Sequence, residues 1–211
     1  MGLQQAQDMN LALDFQARRA AEDQALTLAA RRYGVDAGLV AAILADEAAR
    51  WGVADQLQHG WARLICALPA RPAQHLINLT EPLLRRPLGS HSLGRAQMKL
   101  ATLHEVARSG LLSLPARPQE QVRMLLDPQA APSLVAARLR QTLDHWQADD
   151  VDLTRRPEIL GTLYSLGLSG QAGVHPHPQL TRRGLKIAAV ARQYRARQAH
   201  SGRQTGHAEA G

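Results

Sequence analysis

A chain of 211 residues has room for one domain, or for two small ones. Its 45% hydrophobic and 20% charged residues exclude a disordered chain, and its single cysteine, Cys66, excludes both an internal disulfide and a cysteine-based zinc site. The formal net charge of +7 favours a polyanionic partner such as nucleic acid, a membrane surface or a bacterial wall.

Apolar residues recur with helical spacing along the first third of the chain. The first predicted helix covers about residues 3–32 and ends before Gly34. Asp36 is the expected N-cap of a second helix, about 37–51. A third helix, about 55–68, has an apolar face formed by Leu57, Trp61, Leu64 and Leu68.

Prolines and glycines interrupt residues 69–94, which predicts irregular structure with room for a short hairpin. Further helices are predicted at about 96–109, 118–126, 133–148, 157–168 and 181–199. The small, polar residues of 200–211 predict a disordered tail. We therefore expect a mainly α protein with an N-terminal helical extension, 1–35, and one domain, 36–199.

Glu47 falls on the apolar stripe of the second helix, which Val40, Leu44 and Trp51 define. Burial among apolar side chains raises the pKa of a carboxyl group, which suits a general acid near neutral pH. The spacing leaves an alternative open, in which Glu47 lies at the rim of the helix or bonds a buried backbone group.

Three later segments follow this helix in a fixed order: SLGRAQMK at 92–99, EILGTLYSLG at 158–167 and GVHPHPQLTRRG at 173–184. Together with the embedded Glu, they resemble the lysozyme-like superfamily, specifically lytic transglycosylases and goose-type lysozymes, over about residues 36–190. The resemblance implies a lysozyme-like (α+β) domain with a small hairpin or irregular segment beside the active-site cleft.

The resemblance also implies roles for individual residues. Glu47 would be the catalytic acid and base. Ser92, Gly94 and Gln97 would form the cleft wall opposite it. Tyr164 would orient the carboxyl group or contact the sugar.

The implied activity is that of a muramidase, a lytic transglycosylase that cleaves the MurNAc–GlcNAc linkage of peptidoglycan with a single Glu. Glycoside hydrolases usually add a second carboxylate. Asp55 and Glu81 are the candidates for it, but each is expected to be a helix cap or a surface charge. Asp46 is expected to point about 100° away from Glu47 and to pair with Arg50.

Two other patterns point to different functions. His175 and His177 alternate between prolines, but no nearby cysteine or carboxylate cluster completes a ligand set, so neither a metal nor a cofactor is expected. The last helix is rich in cations, namely Arg182, Arg183, Lys186, Arg192, Arg195 and Arg197. It fits either a basic nucleic-acid-binding module or a solvated amphipathic helix that buries Leu185, Ala189 and Tyr194.

The preferred partner is the glycan strand of peptidoglycan, and nucleic acid belongs to the rival hypothesis. A non-catalytic wall-binding protein of the same fold is a third interpretation. The first twenty residues lack the apolar region of a signal peptide, and the longest apolar run is too short to span a membrane. We expect synthesis in the cytoplasm and delivery to the wall or periplasm by a non-classical route, as for an endolysin or an injected toxin with an immunity protein.

Overall fold

The computed structural model describes residues 20–69, 71–72 and 91–208. Residues 20–33 are helical and are called α1 here. The following helices are α2 (Ala37–Ala49), α3 (Val53–Ala67), α4 (Leu100–Arg108), α5 (Pro118–Leu126), α6 (Ala131–Gln147), α7 (Pro157–Leu166) and α8 (Arg182–Ala208). Within the described residues, the β structure is one antiparallel bridge between Leu93 and Met98. The prediction of a mainly helical chain is confirmed.

Several predictions fall on residues outside this part of the chain. They are the helix over 3–19, most of the irregular segment 69–94 including Glu81, and the tail residues 209–211. Where the structure does describe the tail, it differs from the prediction. Helix α8 continues to Ala208, so residues 200–208, predicted to be disordered, are helical.

The start of α2 follows from the side chain of Asp36. Its Oδ1 accepts hydrogen bonds from the backbone N–H groups of Gly38, at 2.7 Å, and Leu39, at 3.2 Å. Two of the N–H groups that a helix start leaves unpaired are thereby satisfied. The predicted N-cap is confirmed, and it fixes where the stripe that carries Glu47 begins.

Helix α4 starts four residues later than predicted because a tight hairpin precedes it. Leu93 and Met98 exchange both backbone hydrogen bonds, at 3.0 and 3.1 Å. Gly94 opens the turn at a φ of +69°, and a Cβ there would lie 1.6 Å from the carbonyl oxygen of Leu125. The residue must therefore be glycine, and residues 96–98, predicted to be helical, belong to the hairpin.

Helix α8 packs mainly against α2 and α7. Glycines allow this close approach. A Cβ at Gly184 would lie 2.1 Å from the carbonyl oxygen of Glu158, and a Cβ at Gly38 would lie 2.8 Å from the carbonyl oxygen of Ala191. Leu185, which the amphipathic interpretation of this helix would bury, is exposed, because the face of α8 that carries Ile187 points into the core instead. The close contact brings the first turn of α8 to the last turn of α2, where Arg183 meets Asp46 and Glu47.

The buried face of α3 is not the predicted one. Leu57 and Leu64 are exposed, whereas Ala62, Ile65 and Cys66 are buried. This second face packs against α5. The helix has apolar residues on two sides, and tertiary packing selects between them. In the part of the chain that the structure describes, no helix combines the length and the hydrophobicity needed to cross a membrane.

Candidate active site

Glu47 lies in the last turn of α2, where its side chain is 11% exposed. Val40 and Leu44, which share its stripe, are buried, as their spacing predicts. The carboxyl group borders a cleft of about 300 Å³. The position of Glu47 on α2 thus gives a largely desolvated carboxyl group access to a cavity.

The cleft brings together four of the five residues that the resemblance implied. Glu47, Ser92, Gln97 and Tyr164 line it. Gly94 does not line it but is buried in the turn, where it allows the hairpin to lie against α5. The other lining residues are Met98, Lys99, Thr102, Arg138, Ser165, Leu166, Gly167 and Arg183.

Glu47 and Asp46 share one guanidinium group. Arg183 donates through Nε to Oδ2 of Asp46 at 2.7 Å and through Nη2 to Oε1 of Glu47 at 2.6 Å. The predicted pairing of Asp46 with Arg50 is therefore wrong. Asp46 is buried rather than on the surface, because α8 packs along this side of α2 and supplies the cation. Lys186 adds a second positive charge 3.8 Å from Oδ1 of Asp46.

The pKa of Glu47 is raised above its usual value, mainly because burial disfavours the charged form. The charge and hydrogen bond of Arg183 lower this pKa, while the negative charge of Asp46 raises it. Burial outweighs the guanidinium, so the carboxyl group keeps its proton at a higher pH than a solvated Glu does. A general acid requires this property.

Tyr164 braces the hairpin against α7. Its hydroxyl donates to the carbonyl oxygen of Ala96 at 2.6 Å, while its ring lines the cleft. Burial, together with the nearby charge of Glu47, raises the pKa of Tyr164, so the phenol stays protonated. The resemblance implied that Tyr164 orients the carboxyl group or contacts the sugar. In the structure its donated hydrogen bond goes to the hairpin.

His59, which the sequence did not single out, supports the same hairpin from α3. Its Nε2 lies 2.6 Å from the backbone nitrogen of Gly94, and its Nδ1 lies 2.6 Å from the carbonyl oxygen of Asp55. The N–H of Gly94 donates to Nε2, so the ring proton is on Nδ1 and the imidazole is neutral. A histidine in a helix carries no sequence signal for such a contact, since its partner lies 35 residues away.

Arg138 of α6 is a second arginine at the cleft that sequence reasoning missed. Its Nη1 donates to Oε1 of Gln141 at 2.7 Å and to Oε2 of Glu105 at 3.1 Å. Gln141 in turn donates to the carbonyl oxygen of Glu105 at 3.1 Å. These contacts join α6 to α4 and hold a positive charge in the wall of the cleft.

The remaining candidate residues have structural contacts. Asp55 accepts a hydrogen bond from the N–H of Gly52 at 2.9 Å, so it caps the start of α3, as expected. His175 accepts one from the N–H of His177 at 3.2 Å, and its ring lies 6.3 Å from that of Trp146. Among the described residues, no three His, Cys, Asp or Glu side chains are grouped as a metal site would require.

Part of the positive charge of the last helix is paired with carboxylates of the protein itself. Arg183 and Lys186 face Asp46, and Arg195 pairs with Asp36 at 3.0 Å. The two adjacent carboxylates of α2 indicate a nearby cation, since buried charges are paired. The spacing in α2 indicated Arg50 as this cation, whereas the structure supplies Arg183 and Lys186.

Comparisons of the chain with protein-family models, with curated proteins and with solved structures find no match.

Proposed function

We propose that the protein is a peptidoglycan-cleaving muramidase with a lysozyme-like (α+β) domain, and specifically a lytic transglycosylase that acts on the MurNAc–GlcNAc linkage. The observation that carries the proposal is the Glu47 carboxyl group, which is buried, has a raised pKa and borders a cleft. Ser92, Gln97 and Tyr164, which the motif resemblance selected independently of the fold, line the same cleft.

The chemistry needs an acid and stabilisation of an oxocarbenium-like centre. Protonated Glu47 gives its proton to the glycosidic oxygen as the bond from that oxygen to C1 of MurNAc breaks. The N-acetyl group of the substrate assists at C1. The oxygen of the C6 hydroxyl of MurNAc then bonds to C1 while the Glu47 carboxylate takes the proton of that hydroxyl. This step leaves a 1,6-anhydro end and returns Glu47 to its protonated state.

The distribution of acids supports a single-carboxylate mechanism. Among the described residues that line the cleft, Glu47 is the one carboxylate. Asp46 is adjacent in sequence, but its oxygens face Arg183 and Lys186. A hydrolase in which a second carboxylate activates water needs that group on the far side of the sugar. The resemblance assigns that side to Ser92 and Gln97, which are not carboxylates.

Glycan strands of peptidoglycan are the proposed partner, and the net charge of +7 would concentrate the protein on an anionic wall. Action on the wall or in the periplasm after non-classical delivery, with an immunity protein if the chain is an injected toxin, belongs to the same proposal. The nucleic-acid alternative has less support, because Arg183, Lys186 and Arg195 of the basic helix face carboxylates of α2 and its cap.

Digestion of purified sacculi, followed by mass spectrometry of the soluble fragments, tests the proposal. We expect fragments with 1,6-anhydro ends. Fragments with reducing ends would show a hydrolase and overturn the transglycosylase assignment. Wall binding without any fragments would favour the non-catalytic interpretation, and retention on DNA but not on sacculi, over a salt series, would favour the nucleic-acid one.

A further inference from the structure

We propose that Asp46 and Arg183 act as one positioning unit for Glu47. Asp46 holds the guanidinium, and the guanidinium holds Oε1 of Glu47, so that the transferable proton resides on the other oxygen, Oε2. The inference rests on the proposed function, since it treats Glu47 as the acid. It assigns Asp46 and Arg183 a role that neither the motifs nor the resemblance gave them.

The geometry of the guanidinium carries this inference. Its Nε and Nη2 atoms, on one planar group, donate at 2.7 Å to Asp46 and at 2.6 Å to Glu47. Arginine has five donors and no acceptor, so it cannot receive a proton from Oε1. The carbonyl oxygen of a carboxylic acid is also a stronger acceptor than its hydroxyl oxygen. We therefore assign Oε1, which accepts from Arg183, as the unprotonated oxygen and place the proton on Oε2.

The backbone that carries Arg183 is itself fixed. The N–H of Gly184 donates to Oγ1 of Thr181 at 3.1 Å, which caps the first turn of α8. The N–H of Thr181 donates to Oγ1 of Thr162 at 3.1 Å, and Thr162 donates to the carbonyl oxygen of Glu158 at 2.8 Å. Helix α7 thus anchors the turn from which Arg183 reaches Glu47.

The two members of the unit act on the proton in opposite directions. The negative charge of Asp46 favours protonated Glu47, and the positive charge of Arg183 favours the carboxylate. When the Oε2–H bond breaks and the proton passes to the leaving oxygen, the new negative charge lies against Arg183. Several charged and titratable groups surround Glu47. Asp46 and the C-cap residue Arg50 come from α2 and its end, and Arg183 and Lys186 come from α8. The others are Lys99, before α4, Arg138 of α6 and Tyr164 of α7.

Titration of the Glu47 carboxyl carbon by NMR tests the unit without any activity assay. We expect the Glu47 pKa to fall in Asp46→Asn, which keeps an acceptor for Nε but loses the charge, and to rise by about one unit or more in Arg183→Gln. Arg182→Gln is the matched control, because Arg182 is the exposed neighbour with the same charge. It should leave the Glu47 pKa within a few tenths of wild type.

If Arg183→Gln does not fold, Arg183→Lys takes its place, since it keeps the charge but loses the planar fork. We then expect a Glu47 pKa close to wild type together with a loss of cleavage rate, because the charge remains and the fixed geometry does not. Shifts of the same sign in Asp46→Asn and Arg183→Gln, or an Arg182→Gln effect as large as that of Arg183→Gln, would overturn the positioning unit. Full activity in Arg183→Lys would also overturn it.

The pH dependence of sacculus cleavage adds a second, separable readout. The high-pH limb, where the acid loses its proton, should move down in Asp46→Asn and up in Arg183→Gln. A merely structural role would lower the rate without moving this limb in opposite directions. If wild type releases no fragments while the titrations shift as stated, the proposed function fails and the unit stands. If cleavage occurs while the titrations do not shift, the unit fails and the function stands.

Discussion

Two arginines line one cleft, and their ion pairs have opposite patterns of burial. Around Arg183, the carboxylates are the buried members: the side chain of Asp46 is 6% exposed and that of Arg183 is 21% exposed. Around Arg138, the cation is buried, at 8%, and its partner Glu105 is 42% exposed. In the first arrangement burial raises the pKa of a carboxyl group at the cleft, that of Glu47, since desolvation acts on the group that is buried.

The difference bears on which of the two clusters could take part in chemistry. A carboxyl group with a raised pKa can deliver a proton near neutral pH, which suits Glu47 as a general acid. Arg138 also bonds Gln141 and joins α6 to α4, so its contacts hold the wall together. The comparison therefore supports the proposal that the Arg183 cluster transfers the proton, while the Arg138 cluster connects α6 to α4.

Replacing Glu47 by Gln should have the largest effect. The variant keeps the size of the side chain but has no titratable proton, so cleavage of sacculi should fall by about 10²–10⁴-fold. Soluble fragments released per unit time measure this loss. Glu120→Gln, in the first turn of α5, is the matched control and should stay near wild-type activity. Cleavage by Glu47→Gln at the wild-type rate would remove Glu47 from the mechanism.

The Arg183→Met variant tests how much the Arg183 cluster contributes to the stability of the folded protein. It leaves two buried carboxyl groups without their shared cation, so the free energy of unfolding at pH 7 should fall by about 3–5 kcal/mol. The loss should be smaller at pH 4, where the unfolded chain also protonates its carboxyl groups, so that a proton held on Glu47 in the folded variant costs less free energy. Urea unfolding at both pH values measures the effect. An equal loss at both pH values would mean that packing, not charge, accounts for it.

The hairpin that completes the cleft depends on Gly94. Gly94→Ala should lower the free energy of unfolding by more than the roughly 1–2 kcal/mol that a positive φ costs, because its Cβ would also overlap the carbonyl of Leu125. Gly110→Ala is the matched control, since Gly110 has a φ of +76° and open space around it. Equal losses in the two variants, measured by chemical denaturation, would show that the hairpin does not pack against α5 as described.

The raised pKa of Glu47 also predicts how stability depends on pH. Above the ordinary pKa of a carboxyl group, the unfolded chain loses this proton while the folded chain still holds it, so rising pH destabilises the folded state until the raised pKa is passed. Each unit by which the pKa is raised corresponds to about 1.4 kcal/mol. The Glu47→Gln variant lacks this loss. Its unfolding free energy should therefore increase relative to wild type from pH 4 upward, and a difference that shrinks with pH would contradict the raised pKa.

The Glu105→Gln variant should show the smallest effect. Glu105 is largely solvated, so the free energy of unfolding should change by less than about 1 kcal/mol. Thermal unfolding in low and high salt checks the value and its origin. A loss as large as that of Arg183→Met would mean that the two clusters do not differ as their burial indicates.

The sequence predicted the structural features that depend on residues close to one another along the chain. Asp36 as a cap and Glu47 on a buried stripe follow from local spacing within one helix. The contact between Arg183 and Asp46 joins residues 137 positions apart. The rotation of α8 about its axis, which spacing does not fix, determines which of the seven Lys and Arg residues of the helix makes this contact. The same limit explains α3, where two apolar faces were available and packing against α5 buried the one opposite Leu57.

The most direct test of the central claim is a crystal structure of the Glu47→Gln variant with a MurNAc–GlcNAc oligosaccharide. We predict that the glycan lies in the cleft between α2 and the hairpin, with a glycosidic oxygen within about 2.6–3.2 Å of the side chain of residue 47. The amide should also keep its contact with Arg183 through its carbonyl oxygen. An oligosaccharide bound elsewhere on the protein, or one whose glycosidic oxygens lie out of reach of residue 47, would contradict the assignment of Glu47 as the acid.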